Sequence, residues 1–382
     1  MRICLYSETA LPKLGGQELV VDALARNLGE LGHDVTVLAA RPRKRWQVDD
    51  SQLPYRVVRH WPLFSTHRFV GWYRHSLTRL YRSWPFDVLH CHSVYPCGYL
   101  AALAGDTLPS PVVVTSHGGD VREGNARLSK HGMGSRFDQA IRRADALVAI
   151  SRFTADGFRR LGANERQIVS ISNGVELAAL GKTVERPQLL DNAIEPDHYV
   201  LFLGRLHRRK GVDVLLDALA QVPARGGVEL VIAGDGDERA ALEAQAVRMN
   251  VATRVRFVGR VAGAEKAYLV QHARALALPS RDWEAFPLVV LEAFAAGTPV
   301  IGTRIPGLGD LIEPGETGWL VEPESADSLA NALKQTIYGN VTARMQANVR
   351  HVAEQHAWPL VAERYVKLYQ RLVDERRVRK VA

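Results

Sequence analysis

Two glutamates separated by seven residues are the most informative chemical feature of the sequence. A predicted helix begins near Pro287, with Glu284 before it and Glu292 inside it. Proline is tolerated at the start of a helix because an N–H in the first turn has no hydrogen-bond partner within the helix. The free amides of Leu288 and Val289 and the helix dipole suit a phosphate group. Carboxylates at 284 and 292 can accept hydrogen bonds from sugar and ribose hydroxyls. Glutamates at this spacing are also common on solvated helix surfaces, so the surrounding residues decide the interpretation.

A basic segment provides a second candidate for binding phosphate. Arg205 follows a predicted strand at 199–203, and Lys210 is expected to open the next helix. Two fixed cations there could neutralise a diphosphate, since one charge pair at ~4 Å is worth about 4 kcal/mol at an effective dielectric constant of 20, before desolvation. For Arg208 and Arg209 we favour a solvated basic loop.

The elements that position these residues follow an alternation of strands and helices, which predicts parallel sheets with right-handed crossovers. The alternation pauses at 177–198, a segment with the composition of a linker, and then restarts. We therefore predict an α/β chain of two Rossmann-like domains, residues 1–180 and 181–361. A charged last helix, at about 362–382, is expected to cross back onto the first domain. Ligands should lie in a cleft at the carboxyl ends of the strands. The predicted strands are 2–6, 34–38, 87–91, 112–115, 146–150, 168–171, 199–203, 229–233, 255–258, 275–278 and 299–302.

Composition narrows the class of protein. The chain has 382 residues, of which 47% are hydrophobic, and three cysteines. Such a chain can bury sizeable cores without disulfides, and we interpret the cysteines as buried thiols in a cytoplasmic protein rather than as a zinc site. No apolar stretch approaches ~18 residues, so neither a membrane span nor a signal peptide is expected. The Gly234–Gly236 pair lacks the third glycine of a dinucleotide fingerprint, which argues against an NAD enzyme.

Taken together, the motifs resemble GT-B-fold retaining glycosyltransferases of family 4 over nearly the whole chain. The resemblance is carried by Pro12–Gly16, GHDVTVL (32–38), DVLHCHS (87–93), VVTSHGGD (113–120), AISRFT (149–154), SNGVE (172–176), GRLHRRKG (204–211), IAGDGDERAALE (232–243), FVGRV (257–261), the Glu284/Glu292 segment and GETGWLVEP (315–323). It implies two Rossmann-like domains facing each other across a central cleft.

The resemblance also implies roles for individual residues. His117 matches a histidine near the reaction centre, Arg205 and Lys210 match the pair that grips the diphosphate, and Glu284 matches a glutamate beside the transferred sugar. Glu292 matches the glutamate on the ribose. The other donor-binding positions implied are Gly15, Gly16, Gly204, Arg260, Phe286, Leu288 and Val289.

The mechanism implied by the resemblance is transfer with retention of configuration, in which the leaving phosphate accepts the proton of the attacking hydroxyl. No cofactor and no metal ion are expected beyond the nucleotide-sugar co-substrate, linked to UDP or GDP. Three positions depart from the usual family pattern: Ala285 and Pro287 stand where glycines are common, and Asp310 stands where glutamate is more usual. The last departure leaves the identity of the sugar open.

A basic segment rich in aromatic residues, Arg41–Arg82, accompanies a net charge of +8 that is concentrated in the first half of the chain. Within it Phe69, Tyr73, Leu77 and Leu80 follow helical spacing. This pattern fits a helix packed on the first domain. It equally fits a patch that binds an anionic membrane or a lipid-linked acceptor, and the two interpretations are compatible. Nucleic acid is not expected as a partner, because no recognition module accompanies the charge.

The sequence therefore predicts a glycosyltransferase that moves a hexose-type sugar from a nucleotide sugar to a hydroxyl of a glycolipid, polysaccharide or cell-envelope precursor. It is expected in the cytoplasm, with peripheral attachment to the inner face of the membrane as an option. Two alternatives remain open: transfer to a small soluble acceptor, and a catalytically silent GT-B subunit that binds a partner.

Overall fold

The computed structural model describes residues 1–13, 15–41, 49–60, 70–181, 183–188, 190–224, 229–339 and 341–381. The chain forms two compact units. The first contains Met1–Gly174 together with Trp358–Ala382, and the second contains Val175–Ala357.

The first unit is built on a seven-stranded sheet with the order β3-β2-β1-β4-β5-β6-β7, in which every neighbouring pair is parallel. Its strands are β1 (Arg2–Tyr6), β2 (Asp34–Ala40), β3 (Arg56–His60), β4 (Val88–Cys91), β5 (Val112–Ser116), β6 (Ala146–Ala149) and β7 (Ile168–Ser170). Its helices are α1 (Gly16–Glu30), α2 (Val70–Ser83), α3 (Tyr99–Ala104), α4 (Met133–Arg143), α5 (Arg152–Arg160) and, at the end of the chain, α13 (Trp358–Val381).

The second unit is built on a six-stranded parallel sheet with the order β10-β9-β8-β11-β12-β13. Its strands are β8 (Val200–Leu203), β9 (Leu230–Ala233), β10 (Val255–Gly259), β11 (Ala275–Leu278), β12 (Val300–Thr303) and β13 (Gly318–Val321). Its helices are α6 (Leu177–Leu180), α7 (Val212–Ala220), α8 (Arg239–Arg248), α9 (Gly263–Gln271), α10 (Leu288–Ala296), α11 (Ala326–Tyr338) and α12 (Ala343–Gln355).

Both sheets are parallel, as the alternation predicts, and their central strands are apolar and buried on both faces. Sequence patterning misses the edge strands β3 and β13. The segment taken as a linker contains the short helix α6, and the last helix begins at Trp358, earlier than predicted. Helix α13 packs on α1 of the first unit.

The order of each sheet reverses at one point. In the first unit this point lies between β1 and β4, and in the second it lies between β8 and β11. Open α/β sheets bind ligands in the crevice that forms there, outside the carboxyl ends of the strands. The candidate residues of each unit should therefore cluster after these strands.

Two further expectations can be compared with the structure. Cys4, Cys91 and Cys97 are buried free thiols. Within the described part of the chain, none of the helices combines the length and apolarity that a membrane crossing requires. In the Arg41–Arg82 segment, residues 42–48 and 61–69, Phe69 among them, lie outside the described residues.

Candidate active site

Lys210 reaches its position through a tight turn after β8. It ends a short 3₁₀ turn, Arg208–Lys210, and does not open helix α7 as the sequence suggested. Gly211, which follows, has φ +67°, and a Cβ there would lie 2.0 Å from the carbonyl oxygen of Pro279. Only glycine fits such a contact in the left-handed region. This close approach locks the β8 loop onto the end of β11.

Glu284 lies in the segment between β11 and α10 and faces Lys210. It is buried, with 6% of the residue exposed. Its Oε1 accepts hydrogen bonds from Lys210 Nζ and from Ser280 Oγ, each at 2.6 Å. No described residue donates to its other oxygen, Oε2. The carboxylate is thus held at one oxygen and leaves the second for another group.

Arg209 is not the solvated loop residue that the sequence suggested. Its guanidinium lies 4.6 Å from the centre of the Trp283 ring and donates a hydrogen bond to the carbonyl oxygen of Trp283. Its Nη1 also lies 3.6 Å from Glu284 Oε1. The aromatic face and the carbonyl hold the arginine in place, because both attract a cation. Arg208, by contrast, is exposed.

Glu292 projects from the second turn of α10 and is paired with a residue that sequence reasoning missed. Its Oε1 accepts a hydrogen bond from Lys266 Nζ of α9 at 2.6 Å. Its Oε2 is buried and has no hydrogen-bond partner among the described residues. A buried acceptor without a partner is costly, so it marks a place where a ligand hydroxyl would be favoured.

Helix α10 begins at Leu288, with Pro287 as its N-cap residue, as predicted. The proline offers no capping side chain, and no described residue accepts a hydrogen bond from the amide of Leu288 or Val289. These N–H groups carry the positive end of the helix dipole. The turn is further fixed by Gly307, with φ +88°, where a Cβ would lie 1.5 Å from the carbonyl oxygen of Glu284. Phe286 is half-buried and its ring centre is 6.2 Å from that of His356.

The ends of β8, β9 and β10 pack backbone to backbone. Gly204 donates its N–H to Ala233 O at 3.0 Å, and a Cβ on Gly234 would lie 1.8 Å from Gly204 O. Glycine at position 234 thus allows the backbones at the ends of these strands to pack closely. Arg205 beside it is exposed and forms no hydrogen bond or ion pair through its side chain to the described residues. Arg260 is exposed as well, 3.9 Å from Asp235.

In the first unit, Gly15 caps α1 and Gly16 begins it. A Cβ on Gly15 would lie 2.4 Å from Glu18 Oε2, whereas one on Gly16 would meet nothing within 4 Å. Glu18 accepts hydrogen bonds from Lys13 at 2.8 Å and from Thr9. Burial acts to raise its pKa, but these bonds outweigh burial and the pKa lies below the usual range. The Glu18 carboxylate thus lies beside Gly15 at the start of α1.

His117 follows β5 and lies edge to edge with His92, which follows β4. The two rings are 15° from parallel with centres 5.4 Å apart, and His92 Nδ1 lies 3.1 Å from His117 Nε2. Burial lowers the pKa of His117 to about 4, against the opposing influence of the Glu18 carboxylate. Strands β1, β4 and β5 are parallel neighbours in the sheet. The loops that follow them, which contain Gly15, Gly16 and His117, therefore leave the same edge of the first unit.

Asp120, the last residue of the motif at 113–120, organises the loop after His117. Its carboxylate accepts hydrogen bonds from Ser116 Oγ and, at 2.6 Å, from the amide of Val94. Burial raises its pKa, although these hydrogen bonds act in the opposite direction. Asp120 thus ties the loop after β5 to the segment after β4.

Residues 190–352 match the family described as Glycosyl transferases group 1, and residues 14–179 match Glycosyltransferase Family 4. A phosphatidyl-myo-inositol mannosyltransferase of Mycobacterium tuberculosis is 30% identical over 390 residues, which cover 97% of both chains. The chain belongs to the GT-B glycosyltransferases of family 4. Other relatives of this glycosyltransferase are a glycogen synthase of Mycobacterium tuberculosis, 29% identical over 97% of this chain and 94% of its own, and a D-inositol 3-phosphate glycosyltransferase of Jonesia denitrificans, 32% identical over 75% and 72%.

Solved structures share the fold of the glycosyltransferase. A sucrose-phosphate synthase from Thermosynechococcus elongatus has a TM-score of 0.83 and 24% identity, covering 98% of this chain and 99% of that one. HepE from Anabaena, solved with UDP-glucose, has a TM-score of 0.75 and 22% identity over 97% and 99%. These likenesses confirm the predicted α/β, two-domain GT-B fold.

Sequence reasoning missed three residues that contact the predicted ones: Ser280, Lys266 and His92. Ser280 is the second residue after β11, so its place in the sequence gives a signal. Lys266 lies 26 residues before Glu292 on another helix, and no spacing rule connects them. His92 belongs to a quoted motif, but its contact with His117 depends on the pairing of β4 with β5.

Proposed function

We propose that this glycosyltransferase is a retaining enzyme that moves a hexose-type sugar from a UDP- or GDP-linked donor to a hydroxyl. The observation that carries the proposal is the arrangement after β8 and β11. Glu284 is fixed through one carboxylate oxygen by Lys210 and Ser280, next to a helix N-terminus with open amides. A cation, open amides and a half-occupied carboxylate together match a phosphate bonded to a hydroxylated ring.

Each part of a nucleotide sugar has a counterpart in the second unit. The amides of Leu288 and Val289, with Arg205 and Lys210, would hold the diphosphate. The unpartnered Oε2 of Glu292 would accept a hydrogen bond from a ribose hydroxyl, while Lys266 orients that carboxylate. Backbone at Gly204 and Arg260, and the ring of Phe286, would contact the remainder of the donor.

The proposed chemistry relies on stabilising charge on the leaving group. As the bond between the anomeric carbon and the phosphate breaks, negative charge grows on the phosphate oxygen, where fixed donors and cations stabilise it. The acceptor hydroxyl attacks from the same face and passes its proton to the leaving phosphate. No metal ion takes part in this proposal. For Gly15, Gly16 and His117 of the first unit, the family resemblance alone supports a role in binding substrate.

Thermal unfolding with UDP, GDP, ADP and dTDP, each in the presence of EDTA, tests the donor site. UDP or GDP at 100 times its dissociation constant should stabilise the protein by about 2.7 kcal/mol. E292Q should weaken the binding of that nucleotide. E243Q, on helix α8, should leave the binding unchanged. If none of the four nucleotides shifts the midpoint, the donor-site assignment is wrong.

Retention and the type of sugar are tested with the nucleotide so identified. The protein is incubated with the corresponding nucleotide hexoses and an acceptor, and the anomeric configuration of the product is read from its proton coupling constant. We expect the configuration of the donor to be preserved. An inverted product, or transfer only of non-hexose sugars, would contradict the proposal.

For the acceptor we propose a glycolipid, polysaccharide or envelope precursor, which is supported by the names of the relatives, a glycogen synthase and a phosphatidyl-myo-inositol mannosyltransferase. A small soluble acceptor is the second candidate, supported by the name of the D-inositol 3-phosphate glycosyltransferase. Transfer of radiolabelled sugar is measured with lipid extract, with glycan and with free inositol phosphate as acceptors. Transfer to lipid or glycan supports the first candidate, and transfer to free inositol phosphate supports the second.

We also include peripheral membrane attachment in the proposal. Helix α2 buries Tyr73, Leu77 and Leu80 and exposes Trp72, Arg74, Arg79 and Arg82. An exposed tryptophan among arginines suits an anionic lipid surface.

More protein should sediment with vesicles of phosphatidylglycerol than with vesicles of phosphatidylcholine, and W72S/R79Q should abolish the difference. The matched pair V247S/R248Q on α8 should leave it unchanged. Equal sedimentation of wild type and W72S/R79Q would remove the membrane role.

A further inference from the structure

Three histidines form a continuous buried cluster behind the candidate site of the first unit. The rings of His90 and His92 have centres 4.2 Å apart, and an edge of His92 in turn meets an edge of His117. His90 is held at both nitrogens, by Thr115 Oγ1 and by the hydroxyl of Tyr369 on α13, each at 2.7 Å. His90 and His92 are 0% exposed. The cluster is thus rigid, and only His117 at its end is partly accessible.

All three rings are neutral near neutral pH. Burial lowers the pKa of His90 to about 3, lowers that of His92 well below its usual value, and lowers that of His117 to about 4. A neutral imidazole has one nitrogen that donates and one that accepts. The contact between His92 Nδ1 and His117 Nε2 therefore has two possible directions, and each fixes the tautomers of both rings.

The remaining nitrogen of His92 distinguishes the two directions. His92 Nε2 is buried and has no hydrogen-bond partner among the described residues. If His117 donated to His92, this nitrogen would carry a hydrogen and become a buried unpaired N–H, which costs the full desolvation of a donor. If His92 donates, Nε2 carries only a lone pair, and His117 Nε2 is the acceptor. The second arrangement is the favourable one.

We propose that His92 is a positioning residue that holds His117 as the Nδ1–H tautomer, so that His117 presents an N–H donor to a substrate oxygen. No described residue forms a hydrogen bond with His117 Nδ1, so its hydrogen is available to a substrate oxygen. In that state His117 cannot take a proton through Nε2, which is occupied, nor through Nδ1, which is already protonated. Its role is to donate a hydrogen bond, not to act as the general base. The role in catalysis rests on the proposed function, whereas the tautomer does not.

The tautomer is measured directly on the whole protein with ¹⁵N-labelled histidine. Two-bond ¹⁵N–¹H correlation spectra distinguish an N–H nitrogen from a bare one, and H117Q identifies the signals of His117 by their loss. We expect Nδ1 of His117 to have the shift of a protonated nitrogen and Nε2 that of an accepting one. The opposite pattern in the wild-type protein would overturn the inference, whether or not the protein transfers sugar.

Two variants of His92 and one of His90 test the positioning role. H92N retains a side-chain N–H at nearly the position of Nδ1, whereas H92L has similar size and no donor. We expect kcat/KM to fall at least 10-fold in H92L and less than threefold in H92N, with nucleotide affinity unchanged in both. H90L removes a ring from the same cluster without touching His117, so it should lower stability and preserve the His117 tautomer. If H92L retains wild-type kcat/KM, or if H90L shifts the tautomer as strongly as H92L, His92 has only a structural role.

Discussion

Individual side chains of the candidate site are oriented mainly by one another. Lys210 and Ser280 converge on one oxygen of Glu284, and Lys266 does the same for Glu292. In each case the second carboxylate oxygen has no described partner. Carboxylates preorganised in this way lose little freedom when a hydroxyl arrives, which is the condition for effective electrostatic stabilisation.

Replacing Lys210 tests the leaving-group assignment. K210A should lower kcat on the order of 100-fold, as the loss of one preorganised stabilising group does elsewhere. It should also cost about 1–3 kcal/mol of unfolding free energy, because buried Glu284 loses a partner. Steady-state kinetics below the melting midpoint separate the two effects. R208A, an exposed arginine on the same turn, is the control, and an equal loss of activity in both variants would refute the assignment.

The buried histidines predict how stability depends on pH. Unfolded histidine has a pKa of about 6.5, whereas that of folded His90 is about 3. Below pH 6.5 the unfolded chain binds protons that the folded chain does not, so stability falls as pH falls. Each such histidine contributes up to about 1.4 kcal/mol per pH unit. Urea unfolding at pH 7, 6 and 5 should show this slope, reduced in H90L by the share of one histidine. Parallel curves for the two proteins would exclude the effect.

At the scale of the elements, turns with glycine bring strand ends together closely enough to build the site. Gly211 and Gly307 both have positive φ, and each contacts a carbonyl oxygen of the segment between β11 and α10. The loops after β8 and β12 thus hold the segment of Glu284 from two sides. Its position depends on backbone packing as much as on its own ion pairs.

Substitution at Gly307 should expose this dependence. G307A places a methyl group against the carbonyl oxygen of Glu284, so that segment must move. G315A is the matched control, since φ is +82° there but a Cβ would meet nothing within 4 Å. We expect G315A to cost about 1–2 kcal/mol for the left-handed conformation alone and G307A to cost more and to abolish nucleotide binding. Equal unfolding free energies for the two variants, measured in urea, would show that the contact is unimportant.

The sequence predicts the central strands well because each is a short run of buried apolar residues between helical patterns. It does not predict β3, whose sequence Arg-Val-Val-Arg-His has charged ends, since an edge strand is only half covered. Local context singles out Glu284, Glu292, Lys210 and His117 as candidates. It does not reveal Lys266 as the partner of Glu292 or His92 as the partner of His117, because those contacts form only when distant segments meet. Arg209 was misjudged because its neighbours on the chain are charged, while its contacts in space are an aromatic ring and a carbonyl.

At the scale of the whole molecule, the first unit is discontinuous in sequence. Helix α13 completes it by burying Tyr365, Leu368, Tyr369 and Leu372, and by pairing Arg376 with Asp145 at 2.9 Å. Without α13, His90 would lose its hydrogen bond with the Tyr369 hydroxyl, and α1 would lose the helix that packs on it. Residues 1–174 alone therefore lack part of their core.

A fusion that skips the second unit tests this organisation. Within the first unit, Gly174 packs so closely on Trp358 that a Cβ would lie 2.5 Å from its ring. Residues 1–174 joined to 358–382 by a short Gly-Ser linker should therefore fold and unfold cooperatively. Residues 1–174 alone should aggregate, because the apolar face under α13 is exposed. Circular dichroism and sedimentation compare the two, and a cooperatively folded 1–174 fragment would contradict the expectation.

The same junction has a consequence for how such proteins diversify. Val175 and Ala357, the first and last residues of the second unit, are bridged to each other, and Val175 donates its N–H to His356 O at 2.9 Å. The second unit is thus an insert whose two ends meet. A recombination event with crossovers at these two points could exchange the whole unit between relatives while leaving both hydrophobic cores uncut. Chimaeras spliced at 174/175 and 357/358 are accordingly a natural route to altered specificity.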